Sequence, residues 1–273
     1  MTRKDEDGEI YDPRRDRRLR AVCWRDLLTL SKCEAAKEVL LPLPWLAASL
    51  VLAHFHLWPV ALAASFLFFL AGLRVVHGAY HYAIGLPRWA TEWVMLAFSI
   101  LMLGSMHAVQ WNHLRHHRHC LTSDDVEAMG ARRSALGAIL LGPRFPLRLH
   151  QAALTGSSGS QRAWIIAELA ANSVWLAFLP GIAACGAPRY HVFVMAIGQC
   201  LTAFFAVWTV HRGCTAHGII ARTIRDPFRN ALTFGMFFHL EHHLFPAVPT
   251  PHLPILARRL DRVASREDWP LVW

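Results

Sequence analysis

Val39 to Leu57, Pro59 to Val76, Trp164 to Cys185 and Tyr190 to Val210 are stretches almost free of charge, each long enough to cross a lipid bilayer. A spanning helix needs roughly 20 predominantly apolar residues, because every backbone polar group must find its partner inside the segment. The balance of residues agrees: 54% are hydrophobic and 17% charged, where a soluble domain usually carries about 25% charged residues. This excludes a disordered chain, a collagen-like chain and a disulfide-stapled secreted module, and it argues against an ordinary soluble enzyme. The chain is expected to be an all-α integral membrane protein. A His-Leu-Trp-Pro corner ending at Pro59 joins the first two stretches, and Pro188 separates the last two, so the sequence predicts four transmembrane helices in two hairpins.

Charge gives the orientation. The formal net charge is +9, but the cations flank apolar runs and show no aromatic-interleaved basic strand or helix–turn–helix pattern, which argues against nucleic acid. Ten of the 28 Lys and Arg residues precede residue 39, seven lie between Trp111 and Arg162, and eight follow from Arg212 onward. Lys and Arg stay on the cytoplasmic side, so these three regions and both termini are expected there. Val94 to Met106 is about 13 residues long, too short for a span, and is expected to be re-entrant or interfacial. The first 38 residues lack the short apolar core of a secretory signal. The expected organisation is a basic segment over 1–38, a membrane domain over 39–260 and a tail over 261–273. Thr122 to Gln161 is polar and Gly/Ser-rich, a cytoplasmic loop with short helices. Near the end, Leu253, Leu256 and Leu260 share one helix face and Arg258, Arg259 and Arg262 the other. Cys23, Cys33, Cys120, Cys185, Cys200 and Cys214 form no C-x-x-C pair and are expected to be reduced thiols. Arg outnumbers Lys 25 to 3, an association with GC-rich bacteria and so with an inner-membrane location.

Eight of the 17 histidines fall in three clusters: His77 and His81; His113, His116 and His117; His239, His242 and His243. Spacings of three and four place their imidazoles on common helix faces. Imidazole is a borderline ligand suited to iron, zinc, copper or nickel. Eight donors exceed what one ion uses and suit two, each with an open position. Zinc has no redox chemistry, and no H-E-x-x-H motif is present. Iron at a membrane surface points to O2 chemistry at an unactivated C–H bond. The remaining histidines, among them His54, His56, His107, His119, His150, His191 and His252, lack cluster partners and are read as structural or solvated. Asp124, Asp125 and Glu241 are candidates to orient ligand imidazoles. Phe66, Phe68 and Phe69 are expected to face lipid.

In order, H-x-x-x-H, H-x-x-H-H and H-x-x-H-H resemble the three histidine boxes of the membrane fatty acid desaturase superfamily. The likeness runs from the first span to about Leu260. His239-Leu-Glu-His242-His243-Leu-Phe-Pro246 is similar to the third box of acyl-lipid desaturases, and His113 to Glu127 to the second box and acidic tail of desaturases and carotenoid ketolases. The resemblance implies a cytoplasmic helical cap carrying the boxes and a di-iron centre ligated mainly by histidine. It also implies one or two ligands from the end of the last span. Here that stretch holds His211 and His217, six residues apart, so both reach one site only if the helix unwinds, which Gly213 would allow; His217 is expected to ligate, and His211 to ligate directly or through water.

The function expected from this resemblance is O2-dependent oxidation of an acyl chain, most simply desaturation. Loss of a second hydrogen gives an alkene, and recapture of hydroxyl gives an alcohol. No G-x-G-x-x-G turn or iron–sulfur cysteine spacing is present, so electrons must come from an external ferredoxin or cytochrome b5-like donor with its reductase. Arg115, Arg118, Arg222 and Arg225 are candidates to dock an acidic carrier. Two rivals remain at this level. One is a carotenoid ketolase or hydroxylase of the same chemistry, favoured by the short chain and the Thr-Ser-Asp-Asp segment. The other is a metal transporter, weakened because only His54, His56 and Glu168 approach the membrane interior.

Overall fold

The computed structural model describes residues 11–181 and 186–264, and every regular element among them is a helix. Arg3 and Lys4 of the basic segment, the Cys185 end of the expected third span and residues 265–273 lie outside the described residues.

Helix α1 (Lys32–Leu40) starts at Ser31, whose hydroxyl accepts from the Glu34 amide while the Glu34 carboxylate accepts from the Ser31 amide. Such a reciprocal cap satisfies two amides that the first turn leaves open. With α2 (Leu43–His54) it forms the apolar run Lys32–His54. Helix α3 (Trp58–Tyr80) begins at the predicted proline corner, where Pro59 gives up an N–H that the first turn does not use. It packs along α2, as the hairpin reading expects. Its buried face carries Ala61, Ala64, Phe68, Ala71 and Val75, residues spaced three and four apart. Phe68 and Phe69 are therefore core residues and not lipid-facing; of the three phenylalanines only Phe66 is exposed.

The next segment bends. Helices α4 (Arg88–Met102) and α5 (Met106–His119) meet at 110°, the shape of a re-entrant loop or a broken span. Leu103 makes the corner in a left-handed conformation, φ 57°, and each open amide of the first turn of α5 has a side-chain acceptor. The Ser99 hydroxyl takes Met106 N at 2.9 Å, the Glu168 carboxylate His107 N at 3.0 Å, and the Ser105 hydroxyl Ala108 N at 3.0 Å. A buried helix start is stable only when those donors are met.

Helices α6 (Arg144–Gly156) and α7 (Gly159–Phe178) follow, then α8 (Gly186–Thr202). The last changes to π winding over Ala203–Trp208 and ends at His211. Helix α8 lies against α2 and α3; a Cβ at Gly198 would sit 2.9 Å from the Phe69 ring, so this close crossing needs glycine. Among the described residues, α7 packs chiefly on α4 and α5 rather than on α8, so the expected second hairpin is not a packed pair. Glu168 supplies the reason, since its carboxylate is committed to α5. Lys32–His54, Trp58–Tyr80 and Gly186–His211 are long and apolar enough to cross a membrane, and α4 with α5 makes a fourth if the bent pair is one span.

Helices α9 (His239–Leu244) and α10 (Leu253–Leu260) close the structure. Leu253, Leu256 and Leu260 are buried as the pattern predicts, in a core shared with Leu19, Leu27 and Leu240. The N-terminal segment thus packs onto the C-terminal helix, with Asp26 and Arg259 paired at 2.7 Å.

Candidate metal centre

The three boxes converge from α3, α5 and α9, and the end of α8 adds His211. Two sets of donors result. His77, His81, His113, His117 and His242 form one, and His116, His211, His239 and His243 the other; within each set the donor atoms all lie within 4.8 Å of one another. Each H-x-x-H-H box is divided between them. In α5 the i, i+4 pair His113 and His117 joins the first set and His116 the second; in α9 the pair His239 and His243 joins the second and His242 the first. The sets are neighbours, with the His117 and His243 rings stacked at 4.3 Å.

Hydrogen bonds fix which nitrogen faces inward. The Nδ1 of His113 lies 3.2 Å from Glu127 Oε1, that of His116 2.7 Å from Asp125 Oδ2, and that of His211 2.7 Å from the Ile220 carbonyl. Facing acceptors, these Nδ1 atoms carry a proton and donate it, so in the neutral ring Nε2 is the atom that offers a lone pair. Those lone pairs then face each other: His116 and His211 Nε2 are 3.1 Å apart, His211 and His239 Nε2 2.9 Å, and His113 and His81 Nε2 3.1 Å. His77 Nε2 is buried with no hydrogen-bond partner. Lone pairs converging at such distances repel unless a cation lies between them, so the donor set fits two metal ions. All the donors are imidazole, the ligand type that suits iron, copper or zinc.

Burial favours the neutral ligand form. It depresses His81 to about 4 and holds His239, His242 and His243 well below the ordinary histidine range, with neighbouring imidazoles adding to the effect on the last three. Burial alone would raise Asp125, but its hydrogen bonds from His116 and from the Leu121 and Ala128 amides hold it below the usual carboxylate range. Glu127, buried with fewer partners, is pushed up to about 7.

Nine of the ten histidines proposed from the sequence meet here, and His217 does not. It is exposed and belongs to neither set. The unwinding expected at Gly213 does occur, at φ 69°, but it turns the chain out of the last span and back along it. Ile220, not His217, then comes to His211. The structure thus brings His211, and not His217, together with the other donors. Of the carboxylates singled out, Asp125 supports His116 and Asp124 is exposed. Glu241 accepts from Thr223 Oγ1 at 2.8 Å and pairs with Arg225 instead of a histidine. Arg225, half-buried, is also paired with Asp261, so its charge is engaged within the protein. Glu127, which the spacing did not single out, takes the supporting role expected of these acids.

Two apolar cavities meet at this centre. A narrow slot of about 60 Å³ is walled by His77, His113, Glu127 and His239, with Tyr80, Phe145, Leu149 and Val207. A wider cavity of about 320 Å³ lies between α3 and α8, against Phe66, Leu70, Phe204 and Phe205. Leu73, Ala206, Met236 and His239 belong to both walls. The π-wound turn lines both cavities, in keeping with the frequent placement of such turns at functional sites.

The described residues are thus all-helical and bring two imidazole sets together beside an apolar slot. A family model for fatty acid desaturases matches residues 41–273, and the chain belongs to that family. No curated protein matches it. Membership implies an oxidoreductase; the family is a di-iron one, and the histidine sets fit such a centre. The apolar helices and the family together fit an integral membrane protein.

Proposed function

We propose that the protein is an O2-dependent di-iron oxidoreductase that desaturates the acyl chain of a fatty acid or membrane lipid. His77, His81, His113, His117 and His242 would hold one iron, and His116, His211, His239 and His243 the other. The iron pair supplies the O2 activation that an unactivated C–H bond needs. The chain's own residues do the rest. The apolar slot excludes water and holds a run of methylenes against the donor sets, while Asp125 and Glu127 keep the Nδ1 protons of His116 and His113 in place. The balance is R–CH2–CH2–R′ + O2 + two electrons + two protons giving R–CH=CH–R′ + two waters. The electrons come from a ferredoxin or cytochrome b5-like donor, and the exposed Arg115 and Arg118 beside the second box suit an acidic one. The distribution of Lys and Arg supports the boxes and both termini lying on the cytoplasmic face of a bacterial inner membrane; α7 would then be the fourth crossing, with the Glu168 carboxylate against α5.

The observation that carries this reading is that both donor sets reach the wall of one narrow apolar slot, His77 and His113 from the first and His239 from the second. Its test is mass spectrometry of lipids from a host making the intact chain or His242→Ala, with iron content measured and carotenoids supplied in parallel. An acyl species two hydrogens lighter, lost in the variant, is expected. A change confined to the carotenoids overturns the acyl substrate. No change in any pool, from iron-loaded protein with a working donor, overturns the oxidoreductase reading.

A further inference from the structure

Glu127 does more than its neighbour Asp125. Both oxygens of Asp125 are used within the protein, Oδ2 by His116 and the Leu121 amide and Oδ1 by the Ala128 amide. A carboxylate that only orients an imidazole is thus fully satisfied in this loop. Glu127 is only 9% exposed; its Oε1 meets His113, and its Oε2 is buried with no hydrogen-bond partner. Leaving such an oxygen unpaired is costly, and a buried polar atom without a partner calls for an explanation.

Its position provides one. Glu127 is part of the slot wall beside His77, His113 and His239. The other polar side chains of that wall donate to protein atoms. Tyr80 Oη donates to Met106 Sδ, Gln199 Nε2 to the Met102 carbonyl at 2.7 Å, and Thr202 Oγ1 to the Gly198 carbonyl at 3.3 Å. A carboxylate with one oxygen of spare capacity therefore belongs to the wall of the space where a chain would lie against the metal centre.

We propose that Glu127 is a substrate-binding residue whose Oε2 takes the hydrogen bond of a hydroxyl carried by the apolar chain, close to the carbons held against the donor sets. This rests on the oxidoreductase reading above. The hydroxyl has two sources: it is already on the substrate, or the protein makes it, by R–H + O2 + two electrons + two protons giving R–OH + water, with the electrons from the external donor. Either way the site discriminates strongly. A pocket built to pair a hydroxyl rejects the analogue without one, because its own buried partner then stays unpaired.

The test measures binding to the iron-loaded protein in lipid nanodiscs without reductant, so that no turnover occurs. Octadecanoic acid and a panel of its monohydroxy positional isomers compete against a fluorescent acyl probe. One isomer is expected to bind about tenfold more tightly than octadecanoic acid, a preference that Glu127→Gln largely keeps, since with its carbonyl on His113 its amide N–H donates to the hydroxyl oxygen, and Glu127→Leu loses. The ratio of two ligands on one sample is unaffected by any loss of iron or of folded protein. Wild-type protein that prefers no isomer, or a preference that survives in Glu127→Leu, overturns the proposal while leaving the oxidoreductase reading intact. If no acid binds, and β-carotene and its alcohols show the same Glu127-dependent preference, the hydroxyl contact stands and the acyl reading falls. Binding of neither pair overturns both. With donor and O2 restored, a hydroxylated product from octadecanoic acid assigns the hydroxyl to this protein, and turnover of the hydroxy acid alone assigns it to the substrate.

Discussion

His116 shows how much one residue in the loop after a box matters. Its Nε2 faces the second donor set because Asp125 holds its other nitrogen. Partners of this kind typically contribute 10–100-fold in metal affinity, so Asp125→Asn is expected to weaken iron retention by roughly that factor in a chelator competition, and exposed Asp124→Asn to leave it within about twofold. Equal losses from the two would mean the carboxylates act only through net charge. His211→Ala should remove iron from the second set, whereas His217→Ala should keep the full complement in the same metal analysis; the reverse outcome would restore the sequence-based preference. The boxes were legible because i, i+3 and i+4 spacings on a helix decide which rings share a face. His217 was not, because it follows a left-handed glycine in a loop, where spacing no longer fixes direction. Glu127 was hidden for the same reason, as it reaches His113 from a turn and not from a helix face.

At the level of elements, the bend between α4 and α5 sets the direction of the second box. It is locked by His107, whose two ring nitrogens meet Glu92 and Glu168 and whose ring stacks on Trp164 at 5.1 Å. Ser105 adds its hydroxyl to Glu168 at 2.6 Å. Removing one member of a buried charged network leaves the others uncompensated, typically at a cost of 3–5 kcal/mol. Glu168→Ala is therefore expected to destabilise the protein by about that much in a denaturant titration in detergent micelles, and Glu168→Gln by less. A loss under about 1 kcal/mol would mean that packing alone holds the bend. The apolar run from Val94 to Met106 announced a short apolar element, and α4 covers most of it. The corner was not legible, because its acceptors include Glu168, remote in sequence. The same tertiary commitment drew α7 away from α8, against a hairpin inferred from apolar content and a proline.

Across the whole molecule, α3, α5, α9 and the end of α8 are joined at a cluster of imidazoles, several of them held neutral by burial, and this makes stability depend on both pH and metal. His81, His239, His242 and His243 are depressed below their ordinary range in the fold, His81 to about 4. In the unfolded chain they titrate near 6.5. Below about pH 6.5 the unfolded state therefore binds more protons than the folded one, and stability falls with pH. It is fully present above that value and declines towards pH 4 and below. Asp125, held low in the fold, acts in the same direction at lower pH, while Glu127, pushed up to about 7, opposes it as a single group against the several depressed histidines. Metal strengthens the effect because it binds only neutral imidazole and, having no preformed site in the unfolded chain, adds its binding free energy to folding, about 2.7 kcal/mol per site at a hundred times Kd. Melting curves from pH 8 to 5 should show the metal-free protein nearly constant above pH 7 and falling below 6.5. The iron-loaded protein should melt higher at pH 8 and converge on the metal-free curve as protons displace the metal. A metal-free melting temperature that rises on acidification would mean that these histidines are charged in the fold, and the lone-pair geometry on which both donor sets rest would fall with it.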